Sequence, residues 1–195
     1  MKTVRKALVL AACAIMLVCA TIAGTLAYLT SKAEVKNTFT VGNVSITMDE
    51  TNVDKKGDEP ERDTQNTYKL LPGQSYTKDP QIHVGDDSEE CWLFVKVENN
   101  ITAVEDSTDT IVNQLTANHW SEIDSVNHIY AYQNKVQAGA DIDVFDHFKV
   151  ASTATNTALD DINGKTINVT AYAIQAEGFE TAQAAWDNAK SEAQA

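Results

Sequence analysis

Short runs of alternating apolar and polar residues, separated by clusters of turn formers, constrain this chain more than any other feature. Ile167, Val169, Ala171 and Ala173 alternate with polar Thr166, Asn168 and Thr170. Earlier, Leu29, Ala33, Val35, Phe39 and Val41 take odd positions, with Ser31 and Asn37 as the polar members of that parity. The even positions hold Thr30, Lys32, Glu34, Lys36, Thr38 and Thr40. A period of two gives a strand one wet face and one dry face. Gly42-Asn43 interrupts this run, and Val44, Ile46 and Met48 resume on the opposite parity, which predicts a turn or bulge at Gly42.

Further strands are predicted at 81–84, 91–99, 119–123, 128–132, 141–150 and 166–176. Residues 91–97 are apolar on both parities at their start, which suits a central strand beneath a loop or helix. Tyr68-Lys69-Leu70-Leu71 ends at Pro72-Gly73, a type II turn signal. Residues 49–67 are polar, charged and aperiodic, and read as a flexible acidic loop. A short helix is predicted around 111–115. A second, over 180–193, carries Ala182, Ala185, Trp186 and Ala189 at helical spacing and docks through Trp186. The expected fold is therefore all-β: an antiparallel sandwich with a short C-terminal helix.

The amino terminus reads differently. Lys2, Arg5 and Lys6 precede an apolar stretch over 7–23, and the first acidic residue is Glu34. A basic segment, an apolar segment and then small residues make a secretory signal peptide, here a helix preceding the fold. Gly24-Thr25-Leu26-Ala27 places cleavage between Ala27 and Tyr28, leaving a β-sandwich domain over 28–195. Two alternatives stand beside this reading. Residues 7–29 are long enough to span a bilayer as a retained anchor, and Leu10-Ala11-Ala12-Cys13 resembles a lipidation site.

The 195 residues carry 15 Lys+Arg against 28 Asp+Glu, a formal charge of -13. That balance argues against nucleic acid or an anionic membrane as the main partner, because phosphate recognition needs clustered cations. The membrane is met only through an uncleaved leader. Removing Lys2, Arg5 and Lys6 leaves 12 basic residues and takes the domain to -16. Of three cysteines, Cys13 and Cys19 lie in the leader, so Cys91 has no partner in the domain and reads as a core thiol.

Chemical motifs are sparse. The sequence holds no His-Glu-x-x-His, Cys-x-x-Cys, phosphate-binding glycine loop or Gly-x-Ser-x-Gly elbow. His83, His119, His128 and His147 fall in different predicted strands without zinc-ligand spacing. Asp86, Asp87, Glu89 and Glu90 form one acidic group, and Asp141, Asp143 and Asp146 another. Either offers oxygens to calcium, but neither has EF-hand spacing. No catalytic, cofactor-binding or metal residue is assigned, and the chain reads as a non-enzyme.

Gly24-Thr25-Leu26-Ala27-Tyr28-Leu29-Thr30-Ser31, followed by Asn37-Thr38-Phe39-Thr40-Val41-Gly42-Asn43-Val44, resembles the leader and first strand of the TasA/camelysin family of secreted Gram-positive proteins. Leu71-Pro72-Gly73, Lys78-Asp79-Pro80, Cys91-Trp92-Leu93-Phe94-Val95-Lys96-Val97 and Thr170-Ala171-Tyr172-Ala173-Ile174-Gln175-Ala176-Glu177-Gly178-Phe179 extend the likeness over most of the domain. The resemblance implies a jelly-roll-type sandwich, processed by an ER-type signal peptidase and exported to the cell surface or biofilm matrix. It also implies fibres in which the mature N-terminal segment, here residues 28–41, adds as a strand to a neighbouring subunit. An accessory matrix protein is a possible second partner. Camelysin-like relatives are classed as metalloproteases, and no residue here carries that activity over. Strand physics agrees with the fibre reading. A free amphipathic strand completes another subunit's open sheet edge, with Leu29, Ala33, Val35, Phe39 and Val41 entering alternate pockets. Head-to-tail contacts of this kind build filaments when they do not close. The competing expectations are a monomeric surface-binding module and a secreted metal-dependent hydrolase.

Overall fold

The computed structural model describes residues 43–192. The leader and its cleavage residues Ala27 and Tyr28 lie outside them, as do Leu29, Ala33, Val35, Phe39 and Val41 of the amino-terminal strand. The described chain is mainly β. It begins with β1 (Ile46–Thr51), β2 (Arg62–Asp63), β3 (Ser75–Thr77), β4 (Gln81–Val84) and β5 (Cys91–Asn99). Helix α1 (Ile111–Ala117), β6 (Trp120–Asp124), β7 (Ile129–Tyr132), β8 (Asp141–Asp143) and β9 (His147–Lys149) follow. Helix α2 (Asn156–Asp161), β10 (Ile167–Gln175) and α3 (Ala182–Glu192) complete it.

Two four-stranded sheets run in the orders β2-β1-β4-β8 and β10-β5-β7-β6, and β3 pairs with β9 in a third, two-stranded sheet. Every pairing is antiparallel. The two large sheets share one apolar core. Ile82 and Val84 of β4 meet Leu93, Val95 and Val97 of β5, with Trp120, Phe145 and Phe148 filling the space between. The indole N–H of Trp120 on β6 donates to the carbonyl of Asp143 on β8 at 2.9 Å, a hydrogen bond that joins the two sheets.

The apolar start of β5 has a direct structural cause. Cys91, Leu93, Val95 and Val97 enter the main core, whereas Trp92 and Phe94 enter a second cluster with Ile129, Ala131, Ala176 and Ala185. Helix α3 covers this second face. The Trp186 ring lies 5.0 Å from Phe94 and 5.6 Å from Tyr172, within the range where aromatic pairs attract beyond simple burial. Lys190 Nζ reaches Asp124 Oδ2 at 2.6 Å and pins the far end of the helix to β6.

Several elements differ from the sequence reading. Residues 141–150 do not form one strand. β8 ends at Asp143 and β9 begins at His147, with the buried Val144 and Phe145 in the non-strand segment between them. β8 joins β4, and β9 crosses to β3. The strands expected to start at His119 and His128 start one residue later, because both histidines have left-handed backbone with φ of 66° and 55°. Helix α2, capped by Thr155 Oγ1 accepting from the Ala158 amide, had no apolar period to announce it. Residues 49–67 are not one exposed loop: β1 continues to Thr51, β2 pairs with its end, and Glu50 and Asn52 are buried. The turn at Pro72-Gly73 forms as read, with Gly73 at φ 77° and the Gln74 amide donating to the Leu71 carbonyl.

Candidate functional site: a cleft beside an open sheet edge

β10 pairs with β5 along all nine residues, and among the described residues no strand pairs with its other edge. Groups on that edge face away from β5, and among the described residues no strand takes up their donors and acceptors. The side chains repeat the message. On β5 the core-facing residues Leu93 and Val95 are fully buried, yet their partners Ala173 and Ala171 on β10 are only half-buried. Ile167 and Val169 are half-buried as well, as are Ile46 and Met48 of β1 across the gap. A row of side chains that pattern and register assign to the core is thus partly wet. β1 has its own incomplete edge, because β2 covers it only at Glu50 and Thr51.

Between these strands lies a cleft. One part, of about 290 Å³, is bounded by Met48, Asp49 and Glu50 of β1 and by Ile167 and Val169 of β10. It adjoins a wider part of about 670 Å³, reaching Tyr68, Ile101, Phe148 and Asn163. An ion pair forms a wall common to both: Lys78 Nζ lies 2.6 Å from Glu50 Oε2, and both side chains are nearly buried. Asn66 Nδ2 donates to the other Glu50 oxygen at 2.9 Å, so the carboxylate is saturated on both sides.

A polar lattice behind the cleft braces it. Arg62 of β2 pairs with Asp49 through Nε and with Asp79 through Nη1 at 3.2 Å. Asp79 also accepts from the amide and the hydroxyl of Thr51, each at 2.7 Å. Burial alone would raise Asp79 and Asp49. The hydrogen bonds from Thr51 to Asp79, and from Arg62 and His83 to Asp49, outweigh it and hold both below the ordinary carboxylate range. His83 of β4 completes the lattice between Asp49 and Asp141.

Sequence reasoning singled out His83 only as one of four scattered histidines and missed Glu50, Arg62, Lys78 and Asp79. Glu50 and Arg62 sit in the aperiodic stretch, and the four converge only through folding. The Lys78-Asp79-Pro80 block was the available signal. His147 Nε2 lies 2.9 Å from Asp109 Oδ2, outside the polar lattice around His83. Among the described residues no three His, Cys, Asp or Glu side chains converge to hold a metal ion. In the first acidic group Glu90 accepts from Gln137 and faces Lys135; in the second, Asp141 and Asp143 are taken by His83 and Gln81. Cys91 is fully buried, and burial pushes its thiol up to about 11. Among the described residues no helix is long and apolar enough to cross a membrane.

Comparison with known proteins finds no family model, curated protein or solved structure that matches the chain.

Proposed function

We propose that this protein is a secreted structural subunit of an extracellular matrix, built on a jelly-roll-type sandwich and assembled by strand addition between copies. The occupant of the cleft is residues 28–41 of a second copy. The carrying observation is the half-wet inner row of β10 beside an edge that no strand among the described residues pairs with, a surface whose shape and chemistry call for one more strand. Length agrees: fourteen extended residues reach about 46 Å, enough to cover the roughly 30 Å of β10. Charge agrees too. Residues 28–41 contain Lys32, Glu34 and Lys36, a net +1, whereas residues 42–195 hold 10 basic and 27 acidic residues, a net -17. The resemblance to TasA and camelysin proteins points the same way, and with it come export to the cell surface and cleavage after Ala27 as the step that frees the strand.

The test is electron microscopy of purified 28–195 beside a variant lacking residues 28–36. Fibres are expected from the first and only monomers from the second. Fibres from both would remove the strand from the mechanism.

The wider part of the cleft favours a second reading. About 670 Å³, lined by apolar residues such as Ile101 and Phe148 together with amides, hydroxyls and the charged Glu50, Lys78 and Lys165, is the size of a small-ligand site. Under that reading the protein is a monomeric surface-binding module, and it would stay monomeric at high concentration while binding a glycan or host target.

A further inference from the structure

His83 stands on β4 between two carboxylates. Its Nδ1 lies 2.7 Å from Asp141 Oδ1 on β8, and its Nε2 lies 3.2 Å from Asp49 Oδ1 on β1. A neutral imidazole carries one N–H, so it donates to one of these oxygens and turns a lone pair toward the other. Only the imidazolium donates to both. We propose that His83 is a proton-operated clasp, fastening β8 and β1 to β4 when charged and releasing one of them when neutral.

The surroundings favour this role. The groups facing His83 are Asp49 from β1 and Asp141 from β8. Beyond them are Arg62 from β2, Asp79 ahead of β4, and Asp143 on β8, which Gln81 holds at 2.7 Å. Four carboxylates against one guanidinium leave the imidazole in a negative setting that rewards a proton. The ring is 29% exposed, so solvent protons reach it. The hydrogen bond with Asp141, with Asp49 adding to it, outweighs partial desolvation and holds the ring above its ordinary value near 6.5. The folded state therefore prefers the charged ring. The clasp contributes in full below about pH 6.5 and is lost as pH rises through the raised value.

β8 has only three residues and is the outer strand of its sheet, so each cross-strand hold counts there. Asp49 also walls the cleft, so the clasp sets how firmly β1 is held where the incoming strand would lie. That consequence rests on the strand-capture reading; the clasp itself does not.

The test combines an NMR titration of His83 with hydrogen exchange at β1 and β8 amides in the purified protein, in His83→Gln and in Asp141→Asn. Assembly is followed in parallel. His83 should titrate above the ordinary value, and Asp141→Asn should bring it down. Protection in β1 and β8, corrected for intrinsic exchange, should fall about tenfold between about pH 6 and about pH 8.5 in the natural protein and stay level in His83→Gln. A midpoint at or below the ordinary value, or protection equally pH-dependent in His83→Gln, overturns the clasp. Fibres forming while protection is flat with pH also overturn it and leave strand capture standing. A pH-dependent clasp in a protein that never assembles upholds the clasp and overturns strand capture.

Discussion

Glu50 and Lys78 show why charge in a sequence does not report its own location. Glu50 is 4% exposed and Lys78 9%, yet each lies among polar neighbours in the sequence, where a solvated position is the natural expectation. Their energetic weight follows from burial. Lys78→Met leaves the Glu50 carboxylate without its counter-ion and should cost about 3–5 kcal/mol in urea denaturation. Replacing both, as Lys78→Met with Glu50→Leu, should recover most of that loss. The pair between Lys55 and Glu61 makes the contrast, because Glu61 is 88% exposed and water already screens it. Core side chains were more legible: Cys91, Leu93 and Val95 announce burial because nothing polar interrupts them. The polar lattice was illegible because Asp49, Arg62, Asp79 and His83 come from separate places in the chain, with no shared spacing.

At the scale of elements, legibility tracked regularity. β5 and β10 keep an unbroken pattern over nine residues, and both appear in the structure with the predicted limits or within one residue of them. β8 and β9 were read as one strand because polar and apolar residues mix across 141–150, and only their different partners, β4 and β3, mark the break. β2, two residues long, pairs with the end of β1 while Arg62 reaches Asp49 and Asp79, contacts that arise only in the folded chain. Helix α3 belongs to the legible class, since Ala182, Ala185 and Trp186 share the face that meets the sheet. Trp186 makes its aromatic contacts with the sheet. Trp186→Ala removes contacts with both Phe94 and Tyr172 and should cost close to 3 kcal/mol, the low end for a large aromatic that remains partly exposed. Hydrogen exchange should show α3 losing protection first, ahead of β5. Uniform loss across the domain would mean that the helix is not a separately docked element.

The whole molecule carries a charge that works against its proposed role. Bodies of about -17 repel one another far more strongly than a +1 segment attracts, and salt shortens that repulsion to a Debye length of ~8 Å at physiological strength. Assembly should therefore accelerate with added salt, with divalent cations and toward acidic pH. A turbidity series with electron microscopy at each condition checks this, and a flat response counts against charge as the brake. The mainly β character and the excess of acid were readable from the sequence. Strand order was not, because β1 lies beside β4 and β10 beside β5 through contacts distant in the chain. One consequence of that order reaches beyond the cleft. Leu93 and Phe94 are bonded neighbours, yet they belong to two apolar interiors on opposite faces of one sheet, as do Ile129 and Tyr130 of β7 and Ala173 and Ile174 of β10. Under the strand-addition proposal, the sheet that receives the newcomer on one face is the same sheet that seats α3 on the other.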